Sequence, residues 1–287
     1  MFENFNKILK TNMIGTQNLL RYYIFNKIFK FFFINKNSKF FSFSKDGYIR
    51  LEKINQDIIF KITNEIKQQN LDLNTPSYDI PLSNELKKLL FDLVNNYISK
   101  NIYELEQIYN FKLVLSNLEL KRNNYFNKSE HEFESVYSED YHEDKYICTQ
   151  IKQFIYLSEV SEKDGPFSFF KIKDSKNFIK ENNLFNRFSL KINDKKNINS
   201  KNEIFFLGKP GDNLVVDTSE CLHRANIPEK GNYRDMLTIT YNIVADKKIK
   251  SIWSLIDRNA DFWVKKNTNY LSKKLSKPSS YYQLIKI

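Results

Sequence analysis

From Lys112 onward the chain breaks into short runs with strand-like alternation, each closed by a polar or glycine-containing turn, and this pattern constrains the fold most. The runs are Lys112 to Leu120, His131 to Tyr137, Cys148 to Val160, Pro166 to Ile172, Glu203 to Leu207, Asn213 to Asp217 and Arg234 to Val244. Between them, Ser175 to Asn182 reads as a helix or turn insertion and Asn193 to Asn202 as a Lys/Asn-rich loop. Helices precede the strands. Asn55 to Gln69 places Ile58, Ile59, Ile62 and Ile66 on one face, and Ser83 to about Tyr109 opens with Ser83 as a partial cap. Ser38 to Ile54 reads as a hairpin about an Asp46-Gly47 turn. Helices first and then a series of short strands predict a mainly β fold, an antiparallel double-sheet or barrel core with flanking helices packed outside.

At 287 residues the chain is long enough for a sizeable core, and with no visible linker it reads as one large domain, residues 45–287, behind an N-terminal segment, residues 1–44. The net charge of +11 suggests an anionic partner only if it is clustered, and it is not. Seven of the 45 basic residues are Arg, and the surplus Lys is scattered among Asn, Ile, Phe and Tyr, so no nucleic-acid partner is expected. Cys148 and Cys221 make neither a disulfide framework nor a zinc spacing, which points to a reduced, cytoplasmic setting. No run approaches the roughly 18 apolar residues of a membrane span. Residues 1–38 have a basic amphipathic pattern, with Leu19, Leu20, Tyr23, Ile24, Ile28 and Phe31 at helical intervals. A helix docked on its own domain is the favoured reading there, and peripheral contact with an anionic membrane is the alternative.

Only three histidines are present, so each is weighed singly. His131 has no partner at metal spacing except Glu134 and reads as an ordinary surface or core residue. His142 and Asp144 are two apart, and on an extended strand they point to the same side while Glu143 points away. An imidazole and a carboxylate converging on one face are two of the three ligands of a facial triad, the arrangement that holds Fe(II) with open positions. Downstream, His223 precedes an Ile227-Pro228-Glu229-Lys230-Gly231 turn and the chain returns through Arg234. A hairpin centred between Pro228 and Glu229 would set His223 opposite Arg234, sharing a face with it.

His142-x-Asp144, His223 and Arg234 eleven residues later resemble the phytanoyl-CoA dioxygenase family of Fe(II)/2-oxoglutarate-dependent oxygenases. The flanks agree: Lys152 to Val160 followed by Asp164-Gly165-Pro166-Phe167 looks like the family's strand and Gly-Pro turn, and Asp46-Gly47-Tyr48 looks like its start. The resemblance covers about residues 45 to 245. It implies a double-stranded β-helix (jelly roll) core, with His142, Asp144 and His223 binding iron and Arg234 binding the distal carboxylate of 2-oxoglutarate. It further implies hydroxylation of a small-molecule substrate with O₂ and 2-oxoglutarate, giving succinate and CO₂. Two places depart from the family pattern: Lys171 to Lys176 replaces a Gly-Ser-His-like stretch, and Ala225 stands where a serine can occur. Asp144 argues against a halogenase, which keeps a small residue at that ligand position.

Periodicity leads to the same architecture. If Arg234 faces the interior, so do Met236, Thr238 and Thr240, while Leu237, Ile239 and Tyr241 face outward beneath the helices. Lys152, Phe154 and Tyr156 then point inward with the His142/Asp144 pair. Lys152 is a candidate contact for cosubstrate or substrate, against the plainer reading of a solvated charge. The rival from another class is a non-catalytic jelly-roll binding protein.

Overall fold

The structure is a computed structural model that describes residues 34–71, 75–109, 112–131, 138–144, 150–181 and 200–244. The amphipathic pattern up to residue 33, the His131 to Tyr137 run beyond its first residue, and everything after Val244 lie outside the described residues.

Among the described residues, helical segments precede the long strands. A short helix α1 (Phe41–Asp46) leads into β1 (Tyr48–Leu51). Helix α2 (Gln56–Lys67) is capped by Asn55, whose side chain accepts from the Asp57 amide, and it buries Ile58, Ile59, Ile62 and Ile66, the four residues expected from spacing. After β2 (Ser77–Asp79), Ser83 accepts from the Leu86 amide and starts α3 (Asn84–Leu93). A single π-helical turn, Val94–Ile98, carries α3 into α4 (Ser99–Tyr109). The strands that follow are β3 (Lys112–Asn124), β4 (Gln150–Tyr156), β5 (Phe167–Phe169), β6 (Ile204–Phe205), β7 (Asn213–Asp217), β8 (His223–Ala225) and β9 (Tyr233–Val244). Helix α5 (Ile172–Glu181) interrupts them between β5 and β6.

Among the described residues two antiparallel sheets result, a larger one in the order β1-β7-β4-β9-β3-β2 and a smaller one in the order β6-β5-β8. An isolated antiparallel bridge between His142 and His223 extends the smaller sheet past β8. The chain from β3 to β9 therefore visits large, small, large, small, small, large, small and large sheet in turn. That alternation is the jelly-roll winding, and it places the flanking helices outside.

Side-chain parity separates two cores. Ile151, Ile155, Val215, Leu237, Ile239 and Tyr241 turn outward and pack with the apolar faces of α2, α3 and α4. Phe154, Tyr156, Leu214, Val216 and Met236 turn inward and meet Phe167 and Phe169 of the smaller sheet and Phe206 just after β6. The inner layer is aromatic: Phe154 and Phe167 have ring centroids 4.1 Å apart, and Tyr156 stacks on Phe206 at 4.3 Å.

The start of the domain differs from the expected hairpin. Phe40 and Phe43 are buried in the helix-covered core, and Gly47, at φ 83°, is the left-handed C-cap of α1 rather than a strand turn. Phenylalanines three apart fit one helical face as well as a strand, and tertiary burial decides between them. The boundary expected between residues 44 and 45 accordingly falls inside α1. A Cβ on Gly47 would lie 2.3 Å from Cys221 Sγ and 2.6 Å from Ile172 Cγ1. Gly47→Ala is expected to destabilise by roughly 2–4 kcal/mol, combining left-handed backbone strain with overpacking, as read from a shift in the urea midpoint.

Candidate metal centre

Neighbouring strands bring the two candidate histidines together. His142 and His223 are direct cross-strand partners, each backbone N–H donating to the other's carbonyl at 3.0 Å. Opposite residues of such a pair share a face, and the rings lie 4.3 Å apart between centroids. Asp144 follows two residues after His142, its amide donating to the Thr218 carbonyl at 2.8 Å, so its carboxylate joins the same side. His142 Nε2 lies 3.9 Å from Asp144 Oδ1, and His223 Nε2 lies 3.6 Å from Asp144 Oδ2. One ligand atom from each residue falls within 4.8 Å of the others, a group that can hold a metal ion.

The backbone selects the tautomer. His142 Nδ1 is 2.8 Å from the Asp140 carbonyl and His223 Nδ1 is 2.9 Å from the Cys221 carbonyl. A carbonyl only accepts, so each Nδ1 carries a proton and each Nε2 is the ring nitrogen turned toward Asp144. Burial, reinforced by His142, pushes the His223 imidazole down to about 3, against the opposing pull of Asp144, so it is neutral at physiological pH. Burial alone would raise the Asp144 carboxyl, but the Lys152 ammonium 2.8 Å away together with His223 and His142 outweighs it, and the group is held well below the usual carboxylate range.

His223 itself is fixed by a tight turn after β7. The Cys221 amide donates to the Asp217 carbonyl at 2.8 Å, and the Leu222 amide donates to Ser175 Oγ of α5 at 2.9 Å. Beyond the triad lies a cavity of about 310 Å³ lined by His142, Lys152, Phe154, Phe167, His223 and Met236, with Glu119, Lys121 and Asn123 on the β3 side.

Of the five candidate residues, four gather here: His142, Asp144, His223 and Lys152. Lys152 is not a solvated charge, because its side chain is 23% exposed and paired with Asp144. Arg234 is placed differently from the hairpin expectation. β8 pairs with β5 in the smaller sheet and β9 pairs with β3 and β4 in the larger, so His223 and Arg234 are not strand partners. The residues from Asn226 to Asn232 cross between sheets instead of reversing within one, with the Asn226 amide donating to the Pro166 carbonyl and the Glu229 amide to that of Lys163. Arg234 is fully buried, on the inward parity of β9 that Met236 and Thr238 share at the cavity wall. His131 ends a 3₁₀ turn, Lys128–His131.

The β3 contribution was readable in part. Glu119, Lys121 and Asn123 alternate with the outward Leu118 and Leu120, but a register shift between Leu115 and Asn117 breaks the parity with Leu113 and Leu115 and conceals the inward polar row.

No protein-family model matches the chain, and no curated protein matches its sequence. Among solved structures the chain is similar to HygX from Streptomyces hygroscopicus with nickel and 2-oxoglutarate bound, at 14% identity over 72% of this chain and 87% of that one, TM-score 0.49. It is similar to SnoN, a non-heme alpha ketoglutarate dependent epimerase from nogalamycin biosynthesis, at 13% identity over 70% and 80% of the two chains, TM-score 0.46. EctD from S. alaskensis, with 2-oxoglutarate and 5-hydroxyectoine, matches at 14% identity over 70% and 74%, TM-score 0.47.

Proposed function

We propose that this chain forms a non-haem Fe(II) oxygenase that uses O₂ and 2-oxoglutarate to hydroxylate a small molecule, with His142, Asp144 and His223 as the metal ligands. The observation that carries this reading is the triad's preparation: two imidazoles whose Nδ1 protons are tied to backbone carbonyls present Nε2 to one carboxylate at the edge of a cavity. Two imidazoles and a carboxylate on one side fit Fe(II) with positions left for exogenous ligands. When bound, the iron would supply the redox chemistry that couples loss of CO₂ from 2-oxoglutarate to oxidation of the substrate.

The chain's own residues bind, orient and exclude water. Phe154 and Phe167 line the cavity, the latter 5.6 Å between ring centroids from His223, and keep that wall dry. Arg234 is assigned to the distal carboxylate of 2-oxoglutarate, because a guanidinium grips a carboxylate with two parallel hydrogen bonds. Lys152 is assigned to an anionic group of cosubstrate or substrate. A cytoplasmic setting keeps iron in the ferrous state and Cys221, buried, as a reduced thiol.

Anaerobic titration of 2-oxoglutarate into the iron-loaded protein tests the assignment. Arg234→Lys is expected to weaken 2-oxoglutarate roughly 10- to 100-fold, since lysine loses the bidentate pair, while iron affinity barely changes. Equal 2-oxoglutarate affinities would place the carboxylate partner elsewhere. Absence of succinate from the iron-loaded protein across a metabolite screen would favour a non-catalytic binding protein.

A further inference from the structure

Asp144 serves two kinds of neighbour. Its Oδ2, the oxygen turned to His223 Nε2 at 3.6 Å, also forms an ion pair with Lys152 Nζ at 2.8 Å. Both side chains are largely buried, at 23% exposure for Lys152 and 13% for Asp144. Lys152 is held there by its strand, because β4 lies between β7 and β9 with Lys152 opposite both Val216 and Thr240. A divalent ion drawing on that same oxygen meets an ammonium at a separation where like charges repel, with little water to screen them.

Two roles for Lys152 are then opposed in sign. A lysine that only aims the carboxylate helps the metal, and its removal weakens metal binding. A lysine that competes for the carboxylate hinders the metal, and its removal strengthens binding. The shared oxygen favours the second. We infer that Lys152 competes with the metal for Asp144, lowering affinity for a bare divalent cation, and that the ammonium displaced by the metal turns to a carboxylate of 2-oxoglutarate. Metal and cosubstrate thereby favour each other's binding, reciprocally. The inference rests on the triad binding metal as proposed above, and it narrows the Lys152 assignment to the cosubstrate.

The experiment uses full-length protein stripped of metal, with Co(II) affinity read by competition against a chromophoric chelator, with and without saturating 2-oxoglutarate. Without 2-oxoglutarate, Lys152→Met is expected to bind Co(II) roughly tenfold more tightly than wild type. Lys152→Arg, which retains the cation, is expected to bind no more tightly than wild type. Saturating 2-oxoglutarate should raise wild-type Co(II) affinity by a larger factor than that of Lys152→Met. If Lys152→Met fails to give a cooperative thermal melt, Lys152→Gln takes its place with the same expected sign. Co(II) binding by the folded neutral variant that is equal to or weaker than wild type would overturn the proposal, as would an equal enhancement by 2-oxoglutarate. A His142→Ala protein with wild-type Co(II) affinity would instead overturn the metal-site reading, so the two failures are separable.

Discussion

Replacing His223 by alanine is expected to reduce divalent-metal affinity more than roughly 100-fold, beyond the 10- to 100-fold seen when only a supporting group is lost. His223 is the most enclosed of the three ligands, at 3% exposure, and its strand pairs it with Phe169 on one side and His142 on the other. Water has little access to take over its coordination position, and the two remaining ligands lie on one short segment. Calorimetric titration with Co(II) or Zn(II) checks this, and retention of stoichiometric binding would remove His223 from the site. The same variant has a pH signature in metal-free protein. The folded-state value of His223 is about 3, below the ordinary 6.5 of an exposed imidazole. As pH falls through 6.5 the unfolded chain takes up a proton that the folded chain refuses, so the unfolded state binds more protons and stability falls until about pH 3. His223→Ala removes this contribution and should lose less stability than wild type across that window, as followed by urea unfolding at several pH values.

The other large expected effect lies at the join of β3 and β9. Arg122 donates from Nε to Asp235 Oδ1 at 2.7 Å and from Nη2 to Asp235 Oδ2 at 2.6 Å, with both side chains under 10% exposed. The Tyr233 ring lies 4.0 Å from the guanidinium. Burial alone would lower the Arg122 pKa, but Asp235, with Tyr233, outweighs it and the guanidinium value is raised. Asp235→Ala leaves a buried guanidinium without its counter-charge and is expected to cost about 3–5 kcal/mol, measured by urea unfolding. The double variant Arg122→Met/Asp235→Leu should recover most of that loss, because an apolar pair of similar volume leaves no charge unmatched. A small loss in the single variant would mean that Tyr233 and solvent satisfy Arg122 by themselves. Arg122 and Asp235 are themselves opposite in the β3/β9 register, next to the Asn123–Arg234 pair, so the clamp also sets which residues of β9 face inward.

Local chemistry made part of this protein legible in its sequence. The four isoleucines of α2, the Ser83 cap and the Asn213–Asp217 strand follow from periodicity and hydrogen-bonding groups close in the chain. The two-residue spacing of His142 and Asp144 likewise places both on one side whatever lies around them. Parity alone set Arg234, Met236, Thr238 and Thr240 inward and Leu237, Ile239 and Tyr241 beneath the helices, and the two cores divide along that line. Pairing between distant segments was not legible. The turn-rich residues between His223 and Arg234 suggest a hairpin to any local rule, yet the Asn226 and Glu229 amides bond to the turn around Pro166 and carry the chain into the other sheet. His223 consequently faces His142, 81 positions earlier, and the candidate metal-binding group exists because of that pairing. In the same way Asp46-Gly47 ends a helix because Phe40 and Phe43 find a core to fill, and Lys152 meets Asp144 because β4 is held between β7 and β9. Sequence by itself determined which side chains share a face, since that depends only on backbone geometry over a few residues. Tertiary structure alone decided which faces meet, since that depends on burial and hydrogen bonding summed over segments far apart in the chain.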